Sequence, residues 1–99
     1  MGDQHDPSDD EAQGYRITGV VQGVGFRFWT CRVADQLGIR GIVRNCRDGS
    51  VEVVAVASAA ALQDFEARLR KGPPGSVVRH VERFDPDNAL KYNDFRVVH

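Results

Sequence analysis

Residues 22–27, Gln22-Gly23-Val24-Gly25-Phe26-Arg27, set two glycines two positions apart and a guanidinium two positions beyond the second. Glycine tolerates positive φ, so successive N–H groups of such a loop can turn into one concavity. If a helix opens at the loop, its N-terminal end adds partial positive charge there. Arg27 in the first turn contributes a permanent charge and a planar fork of donors. Together these features suit a phosphate-sized dianion. The segment is not a dinucleotide fingerprint, which needs Gly at 28 where Phe28 stands, and no Gly-Lys-Ser/Thr follows as in a P-loop. Taken as loop grammar alone, the same pattern also serves as a plain strand-to-helix connection.

Asn45, just ahead of Asp48-Gly49, is the second residue with chemical potential. As turn chemistry it is a residue that favours strand ends. As active-site chemistry its amide can accept a hydrogen bond from a water and donate one to an oxyanion. What is missing narrows the reaction. No His, Glu or Asp stands in the glycine loop, and the chain displays no triad, carboxylate pair or metal-ligand spacing. Chemistry built here must act on a bond that needs little acid–base help. The mixed anhydride of a carboxylate and a phosphate is such a bond, because its leaving carboxylate, with a pKa of about 4–5, departs unprotonated near neutral pH. Binding the phosphoryl oxygens and placing a water would suffice.

The elements that must hold these residues follow from periodicity. Residues 15–21 alternate as a strand with Tyr15, Ile17, Gly19 and Val21 on one face. A helix is predicted over 27–37, with Phe26, Thr30, Val33, Ala34 and Leu37 as its buried stripe and Gly38 as its stop. Strands at 41–46 and 51–56 flank the Asp48-Gly49 turn. A second helix over 59–71 buries Leu62, Phe65 and Leu69, starts at Ser58 as N-cap and ends at Gly72-Pro73-Pro74-Gly75. Strands at 77–84 and 94–98 finish the chain. The order β-α-β-β-α-β-β predicts an α+β, ferredoxin-like sandwich, with both helices on one face of a mostly antiparallel sheet.

Composition sets the outer bounds. The 99 residues are 41% hydrophobic and 27% charged, values of one small soluble domain. No apolar run is long enough to span a membrane, and the N-terminus is neither a secretory signal nor, with Asp6 at its sixth position, a myristoylation site. A cytoplasmic monomer is expected. Five of the 14 acids fall in residues 1–13, which hold no Lys or Arg; the other nine face all 13 bases over 14–99, a balance of +4. Residues 1–13 are therefore expected to be a disordered acidic tail ahead of a domain at 14–99. The mild positive field suits small anions as well as it suits nucleic acid. Cys31 and Cys46 are too few for a disulfide framework, so reduced thiols are expected, with a single bridge between them left open. Trp29 and Phe28 read as packing or partly exposed surface, and His80 as an ordinary strand residue.

Gly19-Val20-Val21-Gln22-Gly23-Val24-Gly25-Phe26-Arg27 resembles the signature of the acylphosphatase family. Ala34, Leu37-Gly38-Ile39 and Gly41 continue the pattern, and Val43-Arg44-Asn45 with Asp48-Gly49-Ser50-Val51-Glu52 resembles the second signature. The likeness extends through Phe65, Gly72-Pro73, Val78 and Phe95, over about residues 15–98. It departs at Ile42, where many relatives carry an aromatic, and at Ala57, where many carry glycine; neither belongs to the catalytic pair. The resemblance implies a ferredoxin-like sandwich and hydrolysis of a small acyl phosphate to carboxylate and inorganic phosphate, with no metal and no cofactor. It also implies that Arg27 and the loop amides of Gln22, Gly23, Val24, Gly25 and Phe26 bind phosphate, while Asn45 orients the water. Two alternatives stand beside it. One is a phosphate- or RNA-binding module, although the strand at 51–56 lacks the aromatics on which RNA readers of this shape stack bases. The other is a stand-alone relative of the domain that handles carbamoyl phosphate in larger hydrogenase-maturation proteins. No membrane or nucleic-acid partner is expected.

Overall fold

Residues 9–99 are described by the structure, a computed structural model. Strand β1 (Glu11–Val20) leads into helix α1 (Phe26–Leu37), then β2 (Arg40–Asn45) and β3 (Val51–Ala57). Helix α2 (Ala59–Lys71), β4 (Val77–Phe84), a 3-10 turn (Ala89–Lys91) and β5 (Phe95–Val98) complete the order. The five-stranded sheet runs β4-β1-β3-β2-β5. Every neighbouring pair is antiparallel except β2 with β5, which is parallel.

Alternation along β1 sends Tyr15 and Ile17 to the helix-covered face, where both are buried. The stripe expected on α1 packs there as Phe26, Thr30, Val33 and Ala34, with Leu37 half-buried at its end. α2 adds Leu62, Phe65 and Leu69. Ser58 caps α2, its hydroxyl accepting from the Ala61 N–H at 3.2 Å. α1 packs on β2 and β5, α2 packs on β3 and β4, and the helices touch each other, so they share one face. Edge-to-face contacts link Tyr15 to Phe65 and Phe65 to Phe95, at 6.0 and 6.2 Å between centroids. This is the ferredoxin-like sandwich predicted above. No helix among the described residues is long and apolar enough to cross a membrane.

The expected tail over 1–13 needs correction at its inner end. Residues 1–8 lie outside the described residues, but Glu11, Ala12 and Gln13 belong to β1 and pair with Ala57, Val56 and Ala55. A sheet ladder uses backbone groups, so polar side chains do not stop it. Side chains also fasten this end: Gln13 Nε2 donates to the Phe84 carbonyl at 3.0 Å, and Arg40 pairs with Asp10.

The sheet topology decides where function can sit. β1 and β2 are each antiparallel to β3, so they run the same way, and β5 is parallel to β2. The C-terminal ends of all three strands therefore gather at one end of the sheet. Those ends carry the glycine loop, Asn45 and His99.

Candidate active site

Two glycines shape the loop after β1. Gly23 and Gly25 adopt φ of 77° and 76°, a left-handed conformation that a side chain would strain. Gly25 is also the N-cap of α1, and no side chain caps the helix there. With no acidic residue in the first turn either, the positive end of α1 is left uncompensated by its own sequence. Thr30 closes its own hydrogen bond inside the helix, to the Phe26 carbonyl at 2.8 Å.

A hollow of about 130 Å³ opens at this helix start, lined by Val21, Gly23, Gly25, Phe26, Arg27, Phe28 and Asn45. Arg27 and Asn45, 18 positions apart in the chain, thus face one space. Arg27 makes no ion pair among the described residues; its Nη1 donates to Nδ1 of His99 at 3.2 Å. Asn45 ends β2, and its Oδ1 is buried with no hydrogen-bond partner. Buried acceptors are rarely left empty, because each costs about 1–3 kcal/mol of desolvation. This orphaned acceptor belongs to a residue that lines the hollow beside a guanidinium and an uncapped helix start.

The loop and Asn45 are held in register by Gln22. Its Nε2 donates to the carbonyls of Cys46 and Ser50, both at 2.8 Å, tying the loop to the β2–β3 turn. The turn is itself stiff. Cys46 N–H donates to Ser50 O at 2.9 Å, and Asp48 Oδ1 accepts from Ser50 N–H and Oγ at 3.0 and 2.6 Å. The Ser50 hydroxyl and N–H, with Arg16 beyond them, hold the Asp48 carboxyl down at about 2.

Of the residues predicted for the site, Gly23, Gly25, Phe26, Arg27 and Asn45 line the hollow together. Gln22 and Val24 do not. Gln22 spends its side chain on the turn, and Val24 lines a larger groove between the helices. Val21, Phe28 and His99 were not expected at the site; their approach depends on packing and strand register, which no local pattern reveals. Among the described residues no group of His, Cys, Asp and Glu could hold a metal ion, and Cys31 and Cys46 are free thiols.

Comparison with known proteins agrees with this fold. Residues 13–97 match the acylphosphatase family model. A protein of Actinobacillus pleuropneumoniae named acylphosphatase is 56% identical over 81 residues, 82% of this chain and 90% of that protein. One of Paenarthrobacter aurescens with the same name is 47% identical over 83 residues, 84% of this chain and 88% of its own. The structure of an acylphosphatase from Coxiella burnetii superposes with a TM-score of 0.86 at 30% identity, covering 96% of this chain and 98% of that one. Over residues 13–97, from β1 to the last strand, this chain belongs to the acylphosphatase family.

Proposed function

We propose that the protein hydrolyses acyl phosphates at the hollow between Arg27 and Asn45, without a metal ion. The observation that carries this reading is that Asn45, whose Oδ1 has no partner, lines the same hollow as Arg27 and the uncapped start of α1. Family membership supports it independently. The phosphoryl oxygens lie against the Arg27 guanidinium and the N–H groups of the loop and first helical turn. These donors match charge on the equatorial oxygens, which is where charge is spread in phosphoryl transfer. Asn45 Oδ1 accepts a hydrogen bond from the attacking water.

The water oxygen bonds to phosphorus as the bond from phosphorus to the acyl oxygen breaks, and that electron pair stays on the departing carboxylate. A dianionic acyl phosphate and water thus give a carboxylate and dihydrogen phosphate, with both water protons on the phosphate. The leaving group needs no proton, so no general acid is required, and the fixed positive charge of Arg27 meets the role a cation would otherwise fill.

The test is steady-state hydrolysis of benzoyl phosphate with EDTA present, by the wild type and by Arg27→Ala and Asn45→Ala. Turnover that survives EDTA and is lost by about 10³-fold in Arg27→Ala is the expected result. Near-normal turnover in both variants would overturn the roles. Turnover abolished by EDTA and restored by a divalent cation would overturn metal independence.

A further inference from the structure

We propose that the groove between α1 and the end of α2 is the acyl subsite, and that it selects acyl phosphates carrying a second negative charge on the acyl group. This rests on the acyl-phosphate reading above. The groove is about 790 Å³, a volume typical of small-molecule sites. It neighbours the phosphate hollow, since Gly25 and Phe28 line both. Asn45 lines the hollow and not the groove. A water held at Asn45 and an acyl group lying in the groove therefore do not compete for the same space.

Part of the groove is apolar: Val24, Phe28, Trp29 and Pro73. Phe28 is 67% exposed at the rim, which folding alone does not explain. Trp29 is held by an edge-to-face contact with Phe26 at 5.4 Å. Cations line the groove as well. Arg32 and Lys71 are exposed, and neither makes an ion pair among the described residues. Arg68 beside them already has Asp64 at 3.5 Å and Gln36 at 3.3 Å. No carboxylate lines the groove to answer the two remaining charges. An apolar wall flanked by two unanswered cations is complementary to an acyl group with an apolar body and an anionic substituent.

The experiment compares benzoyl phosphate with 4-carboxybenzoyl phosphate, which differ only by a carboxylate opposite the reacting group. In the wild type at low salt, kcat/KM is expected to be about 10-fold higher for the carboxylated substrate, and the preference to shrink as salt screens the charges. Arg32→Gln/Lys71→Gln should bring the ratio of the two substrates towards one. Lys91→Gln/Arg96→Gln removes the same charge around the 3-10 turn and β5, outside the groove, and should leave the ratio as in the wild type. No preference in the wild type, or equal loss of preference in both double variants, would overturn the subsite and leave the hydrolase reading intact. Failure of the wild type on both substrates would overturn the two readings together.

Discussion

Asn45 and Arg27 share one hollow but should fail differently when removed. Arg27 meets the phosphoryl group in substrate and in transition state alike, so Arg27→Ala should raise KM and the dissociation constant for inorganic phosphate as well as lowering kcat. Asn45 acts on the water. Asn45→Ala should lower kcat by about 10²-fold while phosphate affinity, read by calorimetry, stays within a factor of a few. A matching loss of phosphate affinity would make Asn45 a phosphate ligand instead. Gln22 belongs to neither class. Its two 2.8 Å bonds to Cys46 O and Ser50 O set the distance between loop and turn. Gln22→Leu should cost about 1–2 kcal/mol of stability, from two lost bonds of about 1 kcal/mol each, and should lower kcat more than it changes phosphate affinity. Urea unfolding beside the kinetics would test both parts; unchanged stability would mean that these bonds contribute nothing net. Arg27 and Asn45 were singled out by the two signatures that carry them, since each residue type alone also reads as plain helix start or strand end. The anchoring role of Gln22 was not, because its partners are backbone carbonyls 24 and 28 positions away that no residue type announces.

The strands and helices were predictable where one periodicity ran uninterrupted, and the misses fall where pairing or packing overrode it. Ser58 and Gly38 bound their helices as their residue types suggest. The start of β1 was missed because Glu11 to Gln13 have no alternation and enter the sheet only by pairing with β3. Residues 89–91 give too short a turn to show a period. Glu66 on α2 is charged yet only 8% exposed, with Arg70 and Arg83 both hydrogen-bonded to its carboxylate. Two glycines separate conformation from close approach at this scale. At Gly25 an added Cβ meets nothing within 4 Å, and only its φ of 76° resists it. Gly25→Ala should therefore cost about 1–2 kcal/mol and leave the sheet unchanged. At Gly41 the same Cβ falls 1.8 Å from the Val54 carbonyl oxygen, across the β2–β3 ladder that carries Asn45. Gly41→Ala must move a strand, and a loss of about 3 kcal/mol or more is expected from overpacking and strain together. Similar denaturation midpoints for the two variants would contradict this contrast.

Charge on the whole molecule binds the stability of the sheet to pH at both ends of the scale. The Ser50 hydroxyl and N–H hold the Asp48 carboxyl at about 2, with Arg16 adding to them. Arg83 holds the Glu66 carboxyl below the ordinary glutamate range, against the opposing effect of burial and with help from Arg70. The unfolded chain takes up these protons near pH 4, and the folded chain only at lower pH. Across that interval the unfolded state binds more protons, so the contribution is complete above about pH 4 and is lost as pH falls towards 2. At the alkaline end burial, reinforced by Glu66, raises the Tyr15 hydroxyl to about 12. The unfolded phenol ionises near 10, so Tyr15 contributes stability below that pH and loses it as pH rises to about 12. Unfolding free energies measured from pH 2 to 12 should form a plateau that declines on both sides. Ser50→Ala should flatten the acid limb and Tyr15→Phe the alkaline one, each leaving the other limb as in the wild type. Because Ser50 also accepts from Gln22 through its backbone carbonyl, Ser50→Ala keeps the tie between loop and turn. Its kcat at neutral pH should stay within a factor of a few of the wild type, which would separate the acid stability of the turn from its part in holding the loop beside Asn45.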